Sequence, residues 1–132
     1  ILFVNVASKC GFTRQYKGLQ QLFEQEKKRL VVIGLPCNQF GRQENGNEQT
    51  IQNFCSRNYG VSFPISEKIR VKGSSQHPIY TWLTSKLYNG SANSKVKWNF
   101  QKYLINEKGA LQSIFSPKID PLSEEIINAV KQ

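Results

Sequence analysis

The 132-residue chain has no methionine, a single histidine (His77) and only three cysteines. It has no apolar run near the ~20 residues that a membrane helix needs, and no signal peptide or lipidation motif. A translated chain normally starts with Met, whereas this one opens inside the apolar run Ile1-Leu2-Phe3-Val4. A fragment that lacks its N-terminal extension is therefore expected, and an organellar or export signal would lie in the missing part. Cys10, Cys37 and Cys55 are too few, odd in number and too widely spaced for a secreted disulfide scaffold. No pair has C-x-x-C spacing, and a zinc site would need all three thiols to converge with His77 or a carboxylate. No metal is expected. Acidic residues are scarce as well: 9 Asp and Glu against 18 Lys and Arg give a net charge of +9. That balance permits nucleic acid, anionic lipid or an acidic partner. Lys27-Lys28-Arg29 is the only basic run, however, and no aromatics interleave with it. A solvated basic surface is expected, and no nucleic-acid partner.

What is present suits one domain spanning residues 1–132, with no repeat, linker or low-complexity tract. Residues 1–6 are apolar except for Asn5 and predict a strand buried on both faces. Tyr16, Leu19, Leu22 and Phe23 recur at helical spacing, predicting a helix over roughly 14–28. A second buried strand covers 30–35 and stops at Pro36. After a Gly/Asn/Gln-rich loop, Asn47 can cap a helix that carries Ile51, Phe54 and Cys55 on one face. Ile69 and Val71 alternate with charges as in a short strand, and Pro78 opens a helix running through Ile79, Trp82, Leu83 and Leu87. Two strands flank the turn Asn106-Glu107-Lys108-Gly109, and a last helix opens at Asp120-Pro121. The order β-α-β-α-β-α-β-β-α predicts an α/β sandwich with a mainly parallel sheet, helices on both faces and an antiparallel C-terminal hairpin.

In open α/β sheets, active sites lie beyond the carboxyl ends of strands. Cys10 and Cys37 both fall there. Cys10 also precedes a helix and follows Lys9, and each setting favours a thiolate. Gly11 leaves room for a small substrate beside it. Cys10-Gly11-Phe12-Thr13 has the form of a C-x-x-C motif with Thr in place of the second thiol. Dithiol exchange at that place is thereby excluded, and attack by a lone thiolate that is rescued from elsewhere is left.

The segment Val4-Asn5-Val6-Ala7-Ser8-Lys9-Cys10-Gly11-Phe12-Thr13 resembles the peroxidatic segment of the glutathione peroxidase family. Leu35-Pro36-Cys37-Asn38-Gln39-Phe40-Gly41-Arg42-Gln43-Glu44 resembles its second signature, and Trp98-Asn99-Phe100 its third. Phe54-Cys55, the run from Asn58 to Pro64 and His77-Pro78 fit in the same order. The resemblance implies a thioredoxin-like fold with a central mixed sheet flanked by helices. It implies Cys10 as the peroxidatic residue, with Gln43, Trp98 and Asn99 as hydrogen-bond donors around it. It also implies Cys55 as the resolving cysteine of the thioredoxin-dependent branch, with Cys37 as a structural residue and the alternative resolver.

Implied further are an antioxidant thiol peroxidase acting on hydrogen peroxide and on organic or lipid hydroperoxides, a redox-active disulfide, and a place in the response to oxidative stress. No cofactor is implied beyond thioredoxin or glutathione as reducing co-substrate. The short segment between Trp82 and Trp98 resembles the monomeric, open branch, and the basic surface suits transient contact with a lipid surface. Free-thiol chemistry favours the cytoplasm. Two alternatives carry the same first step: a glutathione-dependent peroxidase, in which Cys55 is dispensable, and a peroxide-sensing redox relay to a partner protein. One departure stands out. Asn45-Gly46 follows Gln43-Glu44 where the family has Pro, which predicts a looser loop around Gln43.

Overall fold

The computed structural model describes residues 1–132. Its centre is strand β1 (Leu2–Val6), in which Leu2, Val4, Asn5 and Val6 are fully buried. A strand covered on both faces reads as a continuous apolar run. Strand β2 (Val32–Pro36) pairs with it in parallel, Leu2 opposite Val32. Strand β3 (Lys102–Ile105) pairs antiparallel on its other side, and β4 (Leu111–Phe115) closes a hairpin onto β3. The sheet order is β2-β1-β3-β4. In the hairpin turn the Asn106 side chain accepts from the Lys108 and Ala110 N–H groups, and Gly109 takes a positive φ of 81°.

The sheet is mixed, as the resemblance implies, and holds one parallel and two antiparallel pairs. The mainly parallel sheet expected from element order is not found, because residues 69–71 do not form a strand. That segment runs extended past the β2 edge. It makes one bond to β2, from Ile69 N–H to the Pro36 carbonyl (2.9 Å), and the isolated bridge to Gly34 is made earlier in the chain, at Ile65. The Val71 N–H donates instead to the Gln39 side chain (2.6 Å). A side-chain acceptor has taken the place of a strand neighbour, so the alternation of Ile69 and Val71 marks burial without pairing.

Helices α1 (Gln15–Gln25), α2 (Glu48–Tyr59) and α5 (Glu124–Lys131) share one face of the sheet. Helix α3 (Pro78–Thr84) adjoins the other, and the short α4 (Lys86–Asn89), which buries no residue, packs on α3. The single helix expected through Leu87 breaks at Ser85, which is extended, and Leu87 is left 84% exposed. Helix α5 starts at its Ser123 cap rather than at Asp120. Helix α2 is closed at both ends: the Asn47 side chain accepts from Thr50 N–H (2.9 Å), and Gly60 ends it in the left-handed region. No helix is long and apolar enough to cross a membrane.

Two buried clusters result. The first joins Leu2, Val4 and Val6 to Leu19, Leu22, Ile51, Cys55 and Ile126. The second joins Leu35, Cys37 and Phe40 to Tyr80, Leu83 and Tyr103. One charged side chain crosses the interior. Lys102 Nζ donates to Gln15 Oε1 (2.6 Å), the Pro117 carbonyl (2.9 Å) and the Ile119 carbonyl (2.7 Å). Burial pushes its pKa down to about 7, and nearby Asp120 works the other way. Three acceptors match the three N–H donors of an ammonium, whereas a neutral amine would turn its lone pair toward a carbonyl. Lys102→Ala strands these acceptors in the interior. It is expected to cost about 2–4 kcal/mol, read as a lower urea midpoint at unchanged slope.

Candidate active site

Cys10 lies in the turn that joins β1 to α1 and is half-buried. The turn is built by Thr13. Its hydroxyl donates to the Ala7 carbonyl (2.8 Å) and accepts from the Cys10 N–H (2.8 Å), while Thr13 N–H donates to the Cys10 carbonyl (3.0 Å). The Thr in the x-x-C place is therefore a clamp that closes the Cys10 loop. The Cys10 sulfur accepts the Phe12 N–H at 3.3 Å. Helix α1 begins only at Gln15, so this local N–H, rather than the first turn of the helix, reaches the sulfur. A side chain at Gly11 would meet no atom within 4 Å, leaving that flank of Cys10 open.

Residues far apart in sequence are tied to this turn. Lys9 N–H donates to the Gln43 carbonyl (3.1 Å), which fixes Gln43 beside the residue before Cys10. Asn99 is fully buried, and its amide donates to Gln43 Oε1 (3.0 Å) and the Phe40 carbonyl (3.4 Å). Trp98 is 37% exposed and packs on Phe40, with ring centroids 5.6 Å apart. Gln43, Trp98 and Asn99 thus form one group, joined to the Cys10 turn through Lys9. The looser loop expected from Asn45-Gly46 is not found. Gln43 is bonded through both backbone and side chain, and a Cβ on Gly46 would come within 3.0 Å of Thr50 in α2.

Three supporting residues were not singled out as site residues from sequence. Asn5 donates its side-chain amide to the Trp98 carbonyl (3.1 Å) and accepts the Phe100 N–H on its own carbonyl (2.6 Å). Its only signal was a polar side chain interrupting an apolar strand. Gly41 has φ 66°, and a Cβ there would sit 3.3 Å from the Trp98 ring. Glu44 is 1% exposed and has its N–H bonded to the Asn38 side chain (2.9 Å). The chain's only non-glycine residues with positive φ are Arg42 (53°) and Phe100 (70°). Each is next to a site residue, Gln43 or Asn99, and strain of this kind persists only where surroundings over-determine the backbone.

The other two thiols lie apart. Cys55 is on the buried side of α2, in the core cluster against which Cys10 also packs. Burial pushes its pKa up to about 11. The Tyr16 hydroxyl opposes that shift from electrostatic range without forming a well-directed hydrogen bond, and the Glu44 charge adds to it. Cys37 is fully buried in the cluster on the opposite face of the sheet, and burial raises its pKa as well.

Comparison with known proteins decides the family. The glutathione peroxidase family profile matches residues 1–84. The chain belongs to the glutathione peroxidase family. A glutathione peroxidase homolog BsaA from Staphylococcus epidermidis is 48% identical over 92% of this chain and 77% of its own length. The glutathione peroxidase-like peroxiredoxin GPX5 of Chlamydomonas reinhardtii is 47% identical over 98% of this chain and 83% of its own. The glutathione peroxidase-like peroxiredoxin HYR1 of Saccharomyces cerevisiae is 45% identical over the whole chain and 83% of its own. Among solved structures, the apo form of Trgpx is similar with a TM-score of 0.70 and 39% identity, covering 99% of this chain and 80% of that one. The T. cruzi GPX1 structure is similar at 0.67 and 29%, covering 98% and 80%. Membership brings the thioredoxin-like fold and the activity class, a peroxidase among the oxidoreductases.

Asn99→Ala removes the bond that orients Gln43 and one donor of the group. The rate of Cys10 oxidation by peroxide, followed by stopped-flow tryptophan fluorescence, is expected to fall about 10²-fold.

Proposed function

We propose that this chain is a two-cysteine thiol peroxidase, with Cys10 peroxidatic, Cys55 resolving and thioredoxin as reductant. The observation that carries the reading is the distribution of the thiols. Cys10 and Cys55 pack on one buried cluster, while Cys37 is sealed on the far side of the sheet. The Cys10 thiolate attacks one peroxide oxygen and expels water or an alcohol, leaving a sulfenic acid. The amides of Gln43 and Asn99 and the Trp98 indole are suited to donate hydrogen bonds to charge on sulfur and on the departing oxygen. Cys55 then displaces the sulfenic hydroxyl, and thioredoxin restores both thiols by exchange. The cycle runs on thiols alone and uses no metal or other cofactor.

Cys55 is 1% exposed, so the resolving step needs α2 to open locally. The helix is suited to this: only Ile51 and Cys55 of its twelve residues are buried. The open flank at Gly11 and the exposed edge of Trp98 suit bulky organic and lipid hydroperoxides. The short turn after α4, held by the Asn89 side chain, suits a monomer that touches lipid surfaces only transiently. A cytoplasmic setting with reduced thioredoxin suits this chemistry. The curated relatives named peroxiredoxins support the thiol-based reading.

The test is a pair of variants in a coupled thioredoxin assay. Cys10→Ser abolishes turnover. Cys55→Ser keeps the first oxidation but loses thioredoxin-driven cycling, and continued cycling would return the resolving role to another thiol. Removing the α2 cap gives an independent check. Asn47→Ala costs about 1 kcal/mol of helix stability. Formation of the Cys10–Cys55 disulfide after one equivalent of peroxide should then speed up about fivefold, read by quenched mass spectrometry.

A further inference from the structure

The residues that surround Cys10 carry an unbalanced charge. The site is built from residues 7–14, 40–44 and 97–100, which hold four cations, Lys9, Arg14, Arg42 and Lys97, all exposed. The one carboxylate among them, Glu44, is 1% exposed and offers those cations no partner at the surface. The chain's single ion pair, Arg29 with Glu26, is elsewhere. Of the four head groups only that of Arg14 is held: its Nη1 donates to the Gly11 carbonyl (2.7 Å), one residue from Cys10. Bond geometry keeps that nitrogen within about 12 Å of the Cys10 sulfur. The bond leaves the other guanidinium donors free, in the planar fork that matches a carboxylate.

Helix α1 gives no reason for a cation at this place. Arg14 immediately precedes it, at the positive end of its dipole, where a cation is disfavoured, and no acidic residue stands in the first turn as an offset. The flank beside Arg14 is open, since a Cβ on Gly11 would meet no atom within 4 Å. Apolar surface adjoins it, because Phe12 is half-buried and Trp98 is 37% exposed. The mouth of the site therefore offers apolar edges for a carbon chain and one anchored cation for an anionic end.

We propose that Arg14 is a specificity-determining residue of the peroxidase reaction, its guanidinium taking the carboxylate of hydroperoxides that carry one, so that Cys10 reacts faster with hydroperoxy acids than with their neutral esters. The inference rests on the reading of Cys10 as the peroxidatic residue. The chemical step is the same for both substrates. The Cys10 sulfur bonds the terminal peroxide oxygen as the O–O bond breaks. The sulfur is oxidised to the sulfenic acid, and the departing alkoxide takes a proton from water. The carboxylate does not react; it is held while the peroxide end of the chain reaches the sulfur. Lys9, Arg42 and Lys97 add a general attraction for anions, which salt screens. An exposed charge pair is a weak contact, so the effect is a modest ratio.

The test compares hydroperoxyoctanoic acid with its methyl ester and reads the second-order rate of Cys10 oxidation by stopped-flow tryptophan fluorescence. The acid is expected to react about fivefold faster than the ester at low salt, with the ratio falling toward one as salt is added. Arg14→Gln should bring the low-salt ratio to about two and Arg14→Glu to below one, while Arg14→Lys keeps part of the preference. Taking the ratio cancels any change that the lost Gly11 bond makes to the Cys10 turn. A wild-type ratio of one, or an Arg14→Gln ratio equal to the wild-type ratio, overturns the proposal. If the variants fold poorly, the wild-type salt dependence decides, and a ratio that does not move with salt excludes charge pairing. Phosphatidylcholine hydroperoxide in vesicles separates a carboxylate from a lipid headgroup. Arg14→Gln should change its rate no more than that of the ester, whereas a loss matching that on the acid means that Arg14 reads phosphate and overturns the carboxylate assignment. Failure of the underlying reading looks different: Cys10→Ser would then still consume both hydroperoxides at the wild-type rate.

Discussion

Asn5 is fully buried at the middle of the central strand, where an apolar side chain would be the cheaper choice. Its amide holds the Trp98 carbonyl, and its own carbonyl holds the Phe100 N–H. Through these two bonds a segment more than 90 residues away is set against β1, and β1 runs directly into the Cys10 turn. Asn99 lies between the two bonded residues, and its side chain is fully buried. It reaches the Phe40 carbonyl and Gln43, and Gln43 is in turn fixed to Lys9. The loop geometry around Cys10 is thus a closed circuit of backbone and amide bonds. Its rigidity has a local cost, visible in the positive φ angles of Arg42 and Phe100 on either side of it.

The sheet separates the cysteines by environment. Side chains alternate across a strand, so the two faces of β1 and β2 build different cores. One face holds Cys55 beneath α2 and receives Cys10 at its margin. The other holds Cys37 under Phe40 and Tyr80. Three thiols of one chemical type therefore have three environments: a half-buried turn, a buried helix face and the interior on the opposite side of the sheet.

Stability and chemistry meet in the buried polar groups. Lys102 is fully supplied with acceptors and ties β3 to the start of α1 and to the loop after β4, so its burial serves the fold. Glu44 is buried beside Ser8 with its Oε2 unpaired, and has no comparable set of partners. The contrast separates a charge kept for structure from one whose cost the fold alone does not explain.

Much of this was legible in the chain. The apolar runs at 1–6 and 30–35 became β1 and β2, the helical spacing of Tyr16, Leu19 and Leu22 became α1, and Asn47 became a cap. These features depend on periodicity and on side chains acting within a few residues of themselves, and such forces are written locally. The long motifs around Cys10, Gln43 and Trp98 likewise sufficed for the family. Residues 69–71 read as a strand from the same kind of pattern, and only the fold showed that Gln39 supplies the acceptor that a neighbouring strand would have offered. Helix α3 stopped at Ser85 because Leu83 fills the core and Leu87 has nothing to pack on. The sequence by itself determined most of the element types, the family and the candidate nucleophile. Only the tertiary structure decided which thiols share a face, that Asn5 ties the Trp98–Phe100 segment to β1 and that Glu44 is buried, because each depends on contacts between residues distant in sequence that no local pattern encodes.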